Sequence, residues 1–131
     1  MESITLQAAP DRVWQVVSDV ANVASWTPGV KSSWVEGDVR HVELLRGGPN
    51  ARERILGVDD ATRTLTYEYL DGGLPVTHYA AEIVVQQTDH GTTVVWTGQL
   101  SAESEQAENK LAPVIAGMYA AALQSLAERV R

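Results

Sequence analysis

Residues 2–8 alternate apolar and polar through Ile4, Leu6 and Ala8, the period-two pattern of a strand with one buried face. Pro10 and Asp11 then open a helix: proline is tolerated in the first turn, and an acidic side chain suits the positive helix end. Val13, Val16, Val17 and Val20 form its buried stripe. A second short helix is expected over residues 21–25, ended by Trp26-Thr27-Pro28-Gly29. Six β-rich runs follow, at about 30–37, 39–46, 52–59, 63–70, 76–88 and 92–100. Gly37-Asp38, Gly47-Gly48-Pro49-Asn50, Asp59-Asp60, Asp71-Gly72-Gly73 and Asp89-His90-Gly91 separate them, each short enough for a hairpin.

Residues 101–109 are polar and acidic and suit either a loop or the beginning of a helix. From Lys110 the pattern is helical. Val114, Met118 and Ala122 make one row at i, i+4, i+8, with Ile115, Leu126 and Val130 beside it. Pro113 marks the first turn or a kink. Glu105 and Glu108 near the start, with Arg129 and Arg131 at the end, complement the helix dipole.

This order predicts an α+β chain: one strand, two short helices, six more strands and a long final helix. An antiparallel meander must bury its inner face, and the last helix is the only large element able to cover it. Such an arrangement leaves space between sheet and helix. One domain over residues 1–131 is expected, without internal repeat or linker.

Composition narrows the function classes. A net charge of -7 without any local Lys/Arg cluster disfavours phosphate backbones and anionic membrane surfaces. Without cysteine there are no disulfides, thiolate metal sites or cysteine nucleophiles. The N-terminus lacks a signal-peptide pattern, and no apolar run is expected to reach the ~18 residues of a membrane span. The expectation is a cytoplasmic protein that does not insert in membranes. Phe is absent, so each of the four tryptophans and four tyrosines brings a polar atom wherever it is buried.

The chain resembles the START/Bet v 1-like (SRPBCC) superfamily in its polyketide cyclase/dehydrase branch, essentially from end to end. The resemblance rests on Ala9-Pro10-Asp11-Arg12-Val13-Trp14, Asp19 through Trp26-Thr27-Pro28-Gly29-Val30, Val39-Arg40 and Glu53-Arg54-Ile55. It continues through Tyr67, Leu74-Pro75-Val76-Thr77-His78-Tyr79 and the run around Trp96. It implies the helix-grip fold, a seven-stranded curved antiparallel sheet around a long C-terminal helix, with two short helices after strand 1. It also implies a cavity for lipids, hormones, polyketides or other apolar molecules, in a superfamily of which only some members are enzymes. The middle of the chain is similar to the plant abscisic acid receptors: Gly47–Ala51 falls at their gate loop and Gly73–Thr77 at their latch loop. On that resemblance Lys31 corresponds to the lysine that meets the ligand carboxylate, Glu53 to a pocket glutamate and Tyr79 to a pocket tyrosine. The latch lacks the receptors' His-Arg pair, so phosphatase signalling is not implied.

Strand parity adds to this list. Glu53 shares a face with Ile55, Tyr67 and Tyr69 share one with Leu65, and Tyr79 shares one with Ala81 and Ile83. The expected ligand-binding set is Lys31, Glu53, Ile55, Tyr67, Tyr69, Pro75, Tyr79 and Ala81 on the sheet side, with Val114, Met118 and Ala122 as the helix wall. Gly117, Ala121 and Ala122 are expected to leave room. Alternatives stand beside these: Lys31 as a solvated strand-start lysine, Glu53 in a salt bridge with Arg40, Arg52 or Arg54, the tyrosines as core packing. His41, His78 and His90 lack metal-ligand spacing, so neither a metal nor another cofactor is expected. No G-x-S-x-G elbow is present. The expected function is binding of a small hydrophobic ligand by a monomer or homodimer. The alternative is an aromatic polyketide cyclase or dehydratase with Glu53 and Tyr79 as its acid/base pair.

Overall fold

The computed structural model describes residues 1–131. Its strands are β1 (Glu2–Leu6), β2 (Val30–Glu36), β3 (Val39–Leu44), β4 (Ala51–Asp59), β5 (Thr64–Asp71), β6 (His78–Thr88) and β7 (Gly91–Ser101). Helix α1 (Pro10–Ser18) and a 3-10 helix (Val20–Ser25) lie between β1 and β2, and helix α2 (Glu105–Arg129) closes the chain. The strands form one antiparallel sheet in the order β1-β7-β6-β5-β4-β3-β2. Every expected run becomes a strand because each alternates about a period of two between turn residues.

Alternation sets the buried face. Arg40 and Val42 of β3, Leu65 and Tyr67 of β5, Tyr79, Ala81, Ile83 and Val85 of β6, and Val94 and Trp96 of β7 all point into the core. Helix α2 crosses this face over β1 and β7. Leu44, Ala51, Ile55 and Tyr69, on β3 to β5, pack at the core's margin and stay half-buried. Two polar contacts close the opposite end: Trp14 Nε1 donates to Asp60 Oδ1 at 2.8 Å, and Arg12 Nε donates to the Val130 carbonyl at 3.0 Å.

Helix α2 begins earlier than the apolar pattern suggests. The Ser104 hydroxyl accepts from the Ala107 N–H at 3.1 Å, satisfying one of the helix's unpaired donors, so residues 105–109 are helical rather than loop. Pro113 therefore sits inside the helix, beyond its first turn. Ser104→Ala is expected to cost about 1 kcal/mol of folding stability, measured by urea denaturation.

The phase of α2 also differs from the expected one. Ile115, Tyr119, Ala122, Leu123 and Leu126 face inward, whereas Val114 and Met118 are each 54% exposed. Of the expected helix wall only Ala122 is buried. Gly117 and Ala121 are exposed and leave no room inside. Residues 111–127 carry no charge, and α2 is long and apolar enough, by those two measures, to cross a membrane; the expectation that no such run exists is corrected. Within the fold, its inner row is committed to the core.

Candidate functional site

The inner sheet face carries a polar cluster that runs from β3, beside the 3-10 helix, to Tyr119 of α2. Arg40, only 4% exposed, donates from Nε to Glu53 Oε1 at 2.8 Å and from Nη1 to the Val20 carbonyl at 3.3 Å. Register makes the pair: Arg40 and Glu53 are direct cross-strand partners on β3 and β4. The guanidinium carbon also lies 5.1 Å from the Tyr67 ring centroid, a cation–π distance. Arg52 and Arg54, on the opposite face, pair instead with Asp71 and with Asp38 and Glu68.

Aromatic rings occupy the adjoining space. Trp96 stacks on Tyr119 with centroids 4.1 Å apart and planes 10° from parallel, and it lies 5.7 Å from Trp26. Trp96 Nε1 donates to the Tyr67 hydroxyl at 3.1 Å, and the Tyr79 and Tyr119 hydroxyls bond to each other. Gly98 makes that phenol pair possible. A Cβ there would lie 2.5 Å from Tyr119 Oη and 3.1 Å from Tyr79 Cε1. Gly98→Ala is expected to push the phenols apart and cost about 1–3 kcal/mol, read by chemical denaturation.

Burial raises all four phenols. Tyr67 lies well above its ordinary value, mainly through desolvation, with the Glu53 charge adding to it. Tyr79 and Tyr119 are raised chiefly by desolvation, and Tyr69 rises for the same reason, partly offset by the Leu74 N–H it accepts at 3.0 Å. All four are therefore proton donors at neutral pH and poor bases. The linkage follows in sign: a raised folded pKa favours the protonated fold, so this contribution is complete below the unfolded tyrosine value of ~10 and is lost as pH climbs above it. A titration at the tyrosinate absorbance band should lack the amplitude of Tyr67, Tyr79 and Tyr119 near pH 10 while the protein stays folded. A full-amplitude step there would contradict the burial.

Arg40 hydrogen-bonds within the chain through Nε and Nη1 alone. Tyr67 accepts from Trp96, and its hydroxyl also couples to the hydrogen-bonded Tyr79–Tyr119 pair. Trp26, 2% exposed, has no partner for its Nε1–H, nor has the buried Thr27 hydroxyl. Buried polar atoms are rarely left so.

The structure thus brings Glu53, Ile55, Tyr67, Tyr69, Tyr79 and Ala81 to one face, as parity indicates, with Ala122 above them. Pro75 is exposed and borders, with Val76, Thr77, Glu103 and Ala107, a cleft of about 250 Å³ between the 72–77 loop and the start of α2. The gate-like and latch-like segments approach each other, since a Gly73 Cβ would sit 4.0 Å from Pro49 Cγ. Three expected site residues lie elsewhere. Lys31 falls where the β2–β3 register slips between Val30 and Ser32, and its side chain is in solvent, while Glu53 pairs with Arg40 instead. Val114 and Met118 face outward with the outer side of α2. Arg40, Trp26, Trp96 and Tyr119 are the cluster members the sequence reading did not assign to it. Arg40 shares parity with Val42 and Leu44, and Tyr119 lies four residues from Ile115, so both signals were present.

A curved antiparallel sheet gripping a C-terminal helix, with a polar cluster on the inner sheet face, is the helix-grip architecture of START/Bet v 1-like proteins. The chain belongs to the polyketide cyclase/dehydrase and lipid transport family, whose model it matches over residues 1–131. No curated protein sequence matches it. Among solved structures it is similar to the protein XoxI from Bacillus cereus, with TM-score 0.89 and 25% identity over 98% of this chain and 92% of that one. It also shares its fold with the Zhui aromatase/cyclase from Streptomyces sp. R1128 (TM-score 0.79, 20% identity, 98% and 90% covered). A third is norcoclaurine synthase from Thalictrum flavum (TM-score 0.75, 22% identity, 98% and 91% covered). Family and fold together support a ligand-binding pocket.

Proposed function

We propose that this protein binds a small apolar or aromatic molecule whose buried end carries oxygen acceptors, such as a ketone or carboxylate. The observation that carries this reading is the pair of buried polar groups left without partners beside the aromatic cluster, the Trp26 Nε1–H and the Thr27 hydroxyl. An oxygen-bearing ligand would satisfy groups that the chain itself leaves unpaired. The half-buried apolar residues Leu44, Ala51, Ile55 and Tyr69 would flank its carbon skeleton, and the cleft beside Pro75 and Val76 would be its way in. That cleft is smaller than the ~300–1,000 Å³ of most ligand pockets, so the 72–77 loop would open to admit ligand.

Calorimetric titration of the native protein with aromatic ketones and carboxylates, beside hydrocarbons of equal size, tests this. Oxygenated members should bind at least about tenfold more tightly, the worth of pairing a buried donor otherwise left unsatisfied. Equal affinity for the hydrocarbons would overturn the orientation. Absence of any binding, with no small molecule retained in native mass spectra of protein from its source host, would overturn the binding function.

A second reading, an aromatic polyketide cyclase or dehydratase, draws on the protonated phenols and on the fold shared with the Streptomyces aromatase/cyclase. Tyr79 or Tyr119 would donate to a substrate carbonyl while the Glu53 oxygen not held by Arg40 accepts a proton. The Arg40 ion pair engages Glu53 as a charge partner and favours binding over catalysis. Under the enzymatic reading, Glu53→Gln would bind product yet lose turnover. Retained turnover would remove Glu53 from the mechanism.

A further inference from the structure

The outer face of α2 has no partner within the chain. Between Lys110 and Glu128 it presents Pro113, Val114, Gly117, Met118, Ala121 and Gln124, all exposed. At ~3.6 residues per turn Lys110 and Glu128 fall on one line along the helix, and no charge interrupts the line between them. Gly117 lies near the middle. Glycine is costly in a helix interior, and here nothing inside the protein requires it: a Cβ at Gly117 would meet no atom within 4 Å. An exposed glycine at the centre of an uncharged helical face is accounted for by close approach from outside.

We infer that this face docks against the same face of a second copy, as an antiparallel helix pair about a twofold axis. Charge selects that occupant and that direction. Antiparallel pairing about the centre of the stretch sets Lys110 of each copy against Glu128 of the other, so both ends are neutralised at once, as an isologous contact requires. It sets Gly117 opposite Ala121, two small residues at the crossing where the backbones come nearest, and Val114 opposite Gln124. A parallel pair would put lysine on lysine and glutamate on glutamate. A lipid surface is the poorer fit, since the line ends in an acidic side chain that a second copy's lysine would neutralise. One helix face is smaller than the ~800 Å² per partner of a standard interface, so the dimer should be a weak one.

Sedimentation of the full chain from micromolar to millimolar concentration should show a reversible monomer–dimer equilibrium. Lys110→Glu should weaken it by about tenfold or more, because each attractive contact becomes a like-charge one, and Lys110→Glu with Glu128→Lys should restore it. Gly117→Leu should abolish the dimer, and an unchanged circular dichroism spectrum with monomer melting no lower than the parent's would show that the fold is intact. Three results would overturn the inference: a monomer throughout the concentration range, dimerisation indifferent to these substitutions, or a monomer that floats with phosphatidylcholine vesicles, which would assign the face to lipid.

Discussion

Glu53→Ala is expected to cost about 3–5 kcal/mol of folding stability, because it strands the Arg40 guanidinium inside the protein without its counter-charge. Arg40 is 4% exposed and its one carboxylate partner is Glu53 at 2.8 Å. Surface pairs behave differently. Arg54 with Glu68 is open to solvent on the outer face, and breaking it should change stability by less than ~1 kcal/mol. The double replacement Arg40→Met with Glu53→Leu should recover most of the loss, since a buried pair often exchanges for apolar side chains at little cost. Urea denaturation of the two variants settles the point. A loss below ~1 kcal/mol for Glu53→Ala would mean that the pair is solvated and the cluster is open to bulk water.

Trp96→Ala should cost about 3–5 kcal/mol as well, by a different route. The indole is stacked on Tyr119, lies beside Trp26 and donates to Tyr67, so its removal leaves a void lined by rings that other elements hold in place. Its N–H loss also leaves the Tyr67 oxygen without a donor, adding to the void. Such a void keeps the outline of the lost ring, with the Tyr67 hydroxyl at its edge, and can take up a small aromatic molecule in place of water. Indole or benzene should therefore raise the melting temperature of Trp96→Ala and leave that of the parent unchanged. A cost near 1 kcal/mol, with no rescue, would show that the neighbouring rings collapse into the space.

The sheet was legible in the sequence and the helix phase was not, for one physical reason. Strand residues alternate between two faces, so placing Ile55 inward also places Glu53, and placing Ile83 inward also places Tyr79 and Ala81. Helix α2 offers no such contrast. Val114, Ile115, Met118, Tyr119, Ala122 and Leu123 are apolar or aromatic nearly all round, and the row at 114, 118 and 122 reads as well as the row at 115, 119 and 126. Only packing against β1 and β7 decides between them. Lys31 failed for a local reason, the register slip after Val30, which alternation cannot foresee. Arg40 is one of three arginines that could pair with Glu53, but a charged residue among apolar ones reads first as a surface side chain. Its burial depends on a carboxylate thirteen residues later in the chain.

The four indoles provide the most direct test of the unpaired buried donors. In the structure Trp14 donates to Asp60, Trp34 to Glu36 and Trp96 to Tyr67, while Trp26 Nε1–H has no partner. A ¹⁵N–¹H correlation spectrum resolves one signal for each, recorded as an oxygenated aromatic ligand is titrated in. The Trp26 signal should move downfield as it gains an acceptor, with Trp34, stacked on His41 on the outer face, unmoved. Saturable binding that shifts Trp34 and leaves Trp26 where it was would contradict an oxygen-accepting site beside Trp26.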